Sequence, residues 1–276
     1  QTIKLGSGDD SLTMNAGVKN VDLGAGDDTL VTTIADLGTT VATQDTIAGG
    51  DGKDTLSFTE IDNITVTQLQ NVTGFERLSF SEAAATASTI SLSLFSGVER
   101  ISVNDTNDAL LSFTNAAASF SDLRILDNTD NDSEVSVARL VDGTADTMTV
   151  TITGGASLQD LVLNDEETIN IVGTGTGTGT FTDLDSTDLT TLNISGSNAI
   201  VASDISSTNL ATVDATAATG AVTVSGANSV KAITATGNSV NGGIFTFTGG
   251  SGSDIITGGI LGDTLTGGLG NDVISS

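Results

Sequence analysis

Short segments in which apolar and polar residues alternate recur through residues 58–248. Residues 74–80 (Gly-Phe-Glu-Arg-Leu-Ser-Phe) return 23 positions later as residues 97–103 (Gly-Val-Glu-Arg-Ile-Ser-Val). Similar segments follow at intervals of about 20 residues, among them 189–194 and 210–215. Alternation with a period of two predicts β-strands with one buried face. A recurrence near 20 residues predicts that each repeat forms one coil of a β-solenoid.

A period of nine residues replaces this pattern at the end of the chain. Residues 249–276 contain three tandem nonapeptides, whose aspartates Asp254, Asp263 and Asp272 are nine positions apart. The first and third nonapeptides fit G-G-x-G-x-D-x-U-x, where U is a large apolar residue. The middle one has Leu261 in place of its third glycine.

The same nonapeptide pattern occurs at the beginning of the chain. Residues 49–57 match it in full, and residues 5–13 and 23–31 lack only its first glycine. Asp45 lies one nonapeptide before Asp54 in a degenerate unit. These units predict a second array, which an irregular insertion interrupts.

Each nonapeptide combines a turn with a very short strand. Glycine accepts the positive φ angles of a tight turn, and the apolar residue of the x-U-x half points inward. Two nonapeptides complete one coil, so that the carboxylates and carbonyls of successive coils come together. The absence of proline agrees with a continuous ladder of strands. Residues 82–87 and 115–119 predict either a turn or two of helix or small-residue loops.

The predicted fold is therefore all-β, a parallel β-solenoid or β-roll. Residues 1–57 form an N-terminal β-roll, residues 58–248 a solenoid of coils of about 20–23 residues, and residues 249–276 the C-terminal nonapeptide coils. One continuous elongated domain is the alternative division.

The composition excludes most catalytic chemistry. Histidine and cysteine are absent, which excludes a Ser-His-Asp triad, a thiol nucleophile, a zinc ribbon and an iron–sulfur cluster. Paired carboxylates remain, but the chain has no Trp or Tyr to stack a sugar. We expect no enzymatic activity.

The net charge of −27 indicates bound cations. It argues against nucleic acid as a partner, and no apolar run is long enough for a membrane helix. The chain contains 35 acidic residues, 28 of them Asp, yet its mean hydropathy is +0.16. Apolar faces can pack only if these carboxylates are neutralised, and short carboxylates on tight loops suit a hard, oxygen-seeking ion such as Ca²⁺.

The nonapeptides resemble the RTX calcium-binding repeats of exported bacterial proteins, which form a parallel β-roll. The resemblance is close over residues 249–276 and looser over residues 1–57. It implies several bound Ca²⁺ ions, held by carboxylates and by glycine carbonyls. The predicted ligands are Gly6, Gly8, Asp9, Asp10, Gly24, Gly26, Asp27, Asp28, Asp45, Gly49, Gly50, Asp51, Gly52, Asp54, Gly249, Gly250, Gly252, Asp254, Gly258, Gly259, Asp263, Gly267, Gly268, Gly270 and Asp272.

Two groups of acids leave alternatives open. Asp9, Asp27 and Asp51 are either additional ligands or solvated charge. The run 127–134 alternates oxygen-bearing side chains but lacks the glycine and the distal glutamate of an EF-hand loop. It is either a calcium site or a solvated loop, with Asp127, Asp130, Asp132 and Glu134 as its candidate ligands.

The middle repeats are similar to those of calcium-dependent surface-layer proteins of Gram-negative bacteria. That resemblance implies a structural protein, exported by type I secretion, that self-assembles into a lattice on the bacterial cell surface. It also implies anchoring to a cell-surface polysaccharide through a region outside this chain. Because position 1 is Gln, we expect a fragment or a processed product. An adhesin, a biofilm-matrix segment and the calcium-binding portion of an exoprotein are the alternatives.

Overall fold

The chain folds as a parallel β-solenoid, as its repeats predict. The structure, a computed structural model, describes residues 1–38, 45–60, 66–81, 87–104, 110–126, 133–240 and 242–276. The described chain forms two compact units, residues 1–121 with 139–141, and residues 122–138 with 142–276. Each unit stacks short strands in parallel, which confirms the predicted fold class.

The first unit consists of short strands joined by turns. Its strands are β1 (Thr2–Ser7), β2 (Ser11–Thr13), β3 (Asn20–Ala25), β4 (Thr29–Thr32), β5 (Thr46–Asp51), β6 (Thr55–Phe58), β7 (Val72–Thr73), β8 (Arg77–Phe80), β9 (Ser88–Ser91), β10 (Arg100–Val103) and β11 (Leu110–Ala116). Helical structure among the described residues of this unit is limited to a four-residue α-helix, α1 (Val66–Leu69), and two 3₁₀ turns, Ala35–Leu37 and Leu92–Leu94. The strands pair in the orders β1-β3-β5-β7, β2-β4-β6-β8-β10 and β9-β11.

The second unit alternates its strands between two sheets. Its strands are β12 (Asp122–Ile125), β13 (Glu134–Arg139, whose last residue belongs to the first unit), β14 (Thr147–Thr153), β15 (Ser157–Val162), β16 (Thr168–Thr174), β17 (Thr178–Asp185), β18 (Thr191–Gly196), β19 (Ala199–Ile205), β20 (Thr212–Ala218), β21 (Val222–Ser225), β22 (Thr234–Thr236), β23 (Phe245–Thr248), β24 (Ile255–Thr257), β25 (Thr264–Thr266) and β26 (Val273–Ser275). The even-numbered strands β12 to β26 pair in sequence order in one sheet. The odd-numbered strands β13 to β25 do so in the other.

In-register pairing places equivalent residues of successive coils directly beside one another. Ser11 pairs with Thr29, Thr29 with Thr55, and Thr55 with Arg77. The same arrangement stacks inward-facing apolar residues into columns. One column in each unit is fully buried: Leu30, Leu56, Leu78 and Ile101 in the first, and Met148, Ile169, Leu192 and Val213 in the second.

Aromatic stacking adds to the core of the first unit. The rings of Phe58 and Phe80 are stacked with centroids 5.5 Å apart, and Phe113 lies 5.3 Å from Phe80. All three side chains are inaccessible to solvent. The segment 115–119, for which helix and loop were the alternatives, is the end of β11 followed by a turn. Residues 82–86 lie outside the described part of the chain.

Replacing Phe80 with alanine removes the central ring of this stack. We expect Phe80→Ala to lower the free energy of unfolding by about 3–5 kcal/mol, because it leaves a cavity between coils. Denaturant-induced unfolding followed by circular dichroism measures the loss. Val141→Ala, at a position that is 74% exposed, is the control and should change stability by less than about 0.5 kcal/mol. Equal losses in the two variants would contradict the assigned packing.

Candidate metal-binding turns

One column of carboxylates runs through the N-terminal turns. The backbone N–H of Asp10 donates to Oδ1 of Asp28 (2.7 Å), that of Asp28 to Oδ1 of Asp54 (2.8 Å), and that of Asp54 to Oε2 of Glu76 (3.1 Å). Each acid lies at the junction of a turn and a strand, and the carboxylates of Asp28, Asp54 and Glu76 each accept the amide N–H of the preceding coil. The short aspartate side chain holds its carboxylate beside the backbone. One oxygen of the carboxylate is therefore used by a hydrogen bond between coils.

The second oxygens of these carboxylates are buried without partners. Oδ2 of Asp28 and of Asp54 accepts no hydrogen bond, although both residues are at most 1% exposed. Oδ2 of Asp45 likewise accepts no hydrogen bond, and that residue is 2% exposed. Burial without a partner disfavours the charged form. A positive charge beside these oxygens would offset the cost of their burial.

The pKa values of two of these carboxyl groups reflect their burial. Burial raises the pKa of Asp54 above its ordinary value, and repulsion by Asp28, Glu76 and Asp27 adds to the effect against the hydrogen bond from Asp28. Burial also raises the pKa of Asp45, against the hydrogen bond and positive charge of Lys19. A divalent cation beside either carboxylate would lower its pKa.

Glycine brings backbone carbonyls close to these oxygens. A Cβ on Gly49 would lie 1.9 Å from the carbonyl oxygen of Gly74 and 2.6 Å from Oδ2 of Asp54. A Cβ on Gly24, which has a φ of +112°, would lie 2.0 Å from the carbonyl oxygen of Gly6. At Gly49 a carbonyl oxygen and a carboxylate oxygen therefore face a common space, and at Gly24 a carbonyl oxygen approaches the backbone of the next coil. Those oxygens are the ligands that Ca²⁺ takes in proteins.

The neighbouring acids of the same turns lie on the outside. Oδ1 of Asp9 accepts the N–H of Asp27 (2.8 Å), and Oδ2 of Asp27 pairs with Arg77 (3.1 Å). The hydrogen bond from the N–H of Lys53 and the pairing with Arg77 lower the pKa of Asp27. Asp51 is exposed. Of the two alternatives for these acids, their exposure favours solvated surface charge.

The C-terminal turns repeat the column with one difference. The N–H of Asp254 donates to Oδ1 of Asp272 (2.9 Å), and Oδ2 of Asp254 accepts the N–H of Gly250 (3.1 Å). In the middle nonapeptide, Oδ2 of Asp263 likewise accepts the N–H of Gly259 (2.6 Å). Oδ2 is therefore hydrogen-bonded in Asp254 and Asp263, whereas Oδ2 of Asp28 and of Asp54 has no partner.

The glycines of the C-terminal array make similar close approaches. A Cβ on Gly249 would lie 2.2 Å from Oδ2 of Asp254 and 2.3 Å from the carbonyl oxygen of Gly267. A Cβ on Gly270, whose φ is +119°, would lie 1.9 Å from the carbonyl oxygen of Gly252. In the second and third nonapeptides the first glycine likewise faces the aspartate of its own unit. Gly258 faces Asp263, and Gly267 faces Asp272.

The C-terminal array has one column through Asp272 and Asp254 and another through Asp263, and each ends where an apolar residue replaces the aspartate. Oδ1 of Asp254 accepts the N–H of Ile233 (2.8 Å), and Oδ1 of Asp263 accepts that of Phe245 (2.9 Å). Ile233 and Phe245 are buried. The carboxylates therefore stop at this coil, and apolar side chains continue the stack.

The predicted acids are spread along columns. Among the described residues, no three acidic side chains converge tightly enough to hold an ion by themselves. Any ion in these turns would therefore depend on backbone carbonyls for much of its coordination. Asp127, Asp130 and Asp132 lie outside the described residues, and Glu134 begins β13.

Glu134 belongs to a second column of acids, which the sequence analysis missed. It pairs in register with Asp160, which pairs with Asp183, which pairs with Asp204. Oδ1 of Asp160 is buried without a hydrogen-bond partner. Burial, with repulsion by Asp185, Glu134 and Asp183, raises the pKa of Asp160 from 3.8 to about 6.

Glu76 was also missed as a member of the first column. The signal was present, because Glu76 begins the segment Glu-Arg-Leu-Ser-Phe, 22 residues after Asp54. A glutamate in a different sequence context, at a different spacing, did not fit the nonapeptide pattern. Glu167 has the same geometry in the second unit, since its Oε2 accepts the N–H of Asp146 (2.6 Å).

Comparison of the chain with protein-family models and with curated proteins found no match. None of the helical turns among the described residues could span a lipid bilayer.

The raised pKa of Asp160 predicts a pH-dependent stability. The folded protein retains this proton up to about pH 6, whereas the unfolded carboxyl loses it near pH 4. Stability should therefore fall as pH rises from about 4 to 6. After allowance for solvent screening, Asp160→Asn should raise the free energy of unfolding at pH 8 by about 1 kcal/mol and flatten this profile.

Denaturant unfolding at several pH values measures the effect. Asp22→Asn removes the same charge from a surface ion pair with Lys4 and should leave the profile unchanged. A profile for Asp160→Asn that matches the wild type would show that Asp160 does not retain its proton.

Proposed function

We propose that this chain is a calcium-binding structural protein of the bacterial cell surface, which assembles with copies of itself into an extracellular layer. One observation carries the calcium part of the proposal. Oδ2 of Asp28 and of Asp54 is buried without a partner in turns whose glycines expose backbone carbonyls. A cation is the group that satisfies such oxygens.

The residues at these turns fit a calcium ion. In the N-terminal column Asp10, Asp28, Asp54 and Glu76 would provide carboxylate oxygens, with glycine carbonyls beside them. In the C-terminal array Asp254, Asp263 and Asp272 would do the same. Bound calcium would supply positive charge to oxygens that otherwise repel one another. The chain itself holds the oxygens in place through the amide hydrogen bonds between coils.

Linkage between binding and folding gives these turns a regulatory role. A ligand that binds only the folded state adds about 2.7 kcal/mol per site at a hundredfold excess over its Kd. Extracellular calcium modules have Kd values of about 10⁻⁴–10⁻³ M. Sites of that class stay largely empty in the cytosol and fill outside the cell. Calcium would then couple the completion of folding to export.

A structural role agrees with the remaining surface. The chain has no histidine or cysteine, and strands such as β14 carry threonine on their outer face. A ligand-binding adhesin is the second candidate, and one observation favours it. Threonines align in register on successive coils of the second unit, which would form a repeated row for a partner: Thr147, Thr168, Thr191, Thr212 and Thr234.

A calcium titration of EGTA-stripped protein tests the proposal. Circular dichroism should show a gain of β-structure, light scattering should show growing particles, and negative-stain images should show sheets. Folding without particle growth would favour the adhesin. A β spectrum that is complete in EGTA and indifferent to calcium would exclude calcium-driven folding.

Asp54→Asn gives a sharper test, because its effect should change sign with calcium. The amide keeps an oxygen for the N–H of Asp28 and removes a buried charge. In EGTA we expect this variant to be more stable than the wild type by about 1 kcal/mol. In calcium it should be less stable, because a ligand is lost.

Asp22→Asn is the matched control and should change neither value appreciably. Thermal unfolding in EGTA and in calcium gives all four comparisons. The assignment of Asp54 as a ligand would be wrong if the variant responded to calcium as the wild type does. Paired Asp254→Asn and Asp272→Asn substitutions apply the same test to the C-terminal array.

A further inference from the structure

The two sides of the N-terminal roll differ in what occupies the sixth position of the nonapeptide. Residues 14–22 form a degenerate unit between the units 5–13 and 23–31, with Gly17 at the fourth position and Lys19 at the sixth. Lys19 thus takes the place that Asp10 and Asp28 hold in the flanking units. A lysine reverses the charge at this position of the repeat.

Lys19 reproduces the backbone contact of the aspartates that it replaces. Its N–H donates to Oδ1 of Asp45 (2.6 Å), as the N–H of Asp10 donates to Oδ1 of Asp28 (2.7 Å). Lys19 and Asp45 are therefore neighbouring members, or rungs, of another column, which is distinct from the column that contains Glu134. The geometry of the column is kept although one rung carries the opposite charge.

The ammonium of Lys19 lies inside the turn. The residue is 4% exposed, and its Nζ donates to the carbonyl oxygen of Gly17 (2.9 Å). Lysine is rarely buried unless its charge is compensated. Here the compensating charge is Asp45, which is 2% exposed and whose Oδ2 has no hydrogen-bond partner. The positive charge of Lys19 acts on that carboxylate without a direct ion pair.

The opposite column has no such cation in its interior. Its rungs Asp10, Asp28, Asp54 and Glu76 are all acidic. The nearby cations Lys53 and Arg77 pair at the rim, with Glu99 and with Asp27. One column thus contains a buried positive charge near its unpartnered carboxylate oxygen, whereas the other has two such oxygens and no buried cation.

We propose that the ammonium of Lys19 takes the place of a metal ion in its turn, so that the N-terminal roll binds calcium on the Asp10–Asp28–Asp54–Glu76 side and not at Lys19. The metal-binding half of this inference rests on the proposed function. A tethered ammonium places a positive charge near Asp45 at any calcium concentration. The Lys19 side therefore forms without calcium and leaves the other side to respond to it.

Lys19→Asp tests the inference by restoring the acid of the repeat. Native mass spectrometry in calcium should show one more bound ion than the wild type. The control is Lys4→Asp, which makes the same charge change at a side chain that is 72% exposed, and it should leave the number of ions unchanged. Equal ion numbers in the two folded variants would overturn the inference.

Lys19→Gln tests the neutralising role without any metal. In EGTA the variant leaves Asp45 buried without its cation, and we expect its Tm to fall by about 6 °C or more. Lys4→Gln should lower Tm by less than about 2 °C. Equal Tm values for the two variants would overturn the inference.

The two experiments separate failure of this inference from failure of the proposed function. If the wild type binds no calcium, the proposed function fails, and the comparison of Lys19→Gln with Lys4→Gln alone decides whether Lys19 neutralises Asp45. If the wild type binds calcium and Lys19→Asp unfolds, the same comparison decides. If the wild type binds calcium while Lys19→Asp gains no ion, the proposed function stands and Lys19 does not replace a metal.

Discussion

In-register parallel stacking is the constraint on which the rest of this structure depends. Each coil places its residues directly beside their equivalents in the next coil, at a spacing of about 4.8 Å. For leucine, isoleucine and phenylalanine this repetition builds a continuous core. For aspartate it stacks like charges, which repel. A solenoid whose turns use aspartate must therefore supply something that compensates those charges.

The chain meets this requirement in different ways at different turns. The amide of the preceding coil binds one oxygen of Asp28, Asp54 and Asp254. A glycine N–H binds the other oxygen of Asp254, and the ammonium of Lys19 acts on Asp45. The second oxygens of Asp28 and Asp54 have none of these. This difference makes the N-terminal column the place where an external cation would have the largest effect on stability.

The sequence alone predicted the fold class, because repetition is itself the signal for stacking. Residues that recur at a fixed interval must pair with their own equivalents, and alternation within each segment gives the buried face. The columns beyond the nonapeptides could not be predicted. Their pairing depends on how each irregular turn sets the register, and the step from Asp54 to Glu76 is 22 residues where that from Asp10 to Asp28 is 18.

Glu76 and Lys19 show the two ways in which a pattern search fails at the site. Glu76 continues the carboxylate column, but it lies in a segment with a different consensus. Lys19 occupies the correct position of a degenerate unit with the opposite charge, so a search for aspartate passes over it. Both residues are recognised only when the register is known, since register defines which side chains share a column.

The net charge of −27 is not by itself a measure of the electrostatic cost of folding. Exposed carboxylates such as Asp9 and Asp51 are solvated, and salt screens their mutual repulsion. The costly charges are the buried ones, and these are confined to particular turns. Where Ile233 and Phe245 take the position of the aspartate, the same backbone geometry continues with an apolar side chain. Stacking therefore does not require the carboxylate. Any dependence on cations would therefore be confined to the turns that keep a buried acid, and coils with an apolar residue at this position would need no cation there.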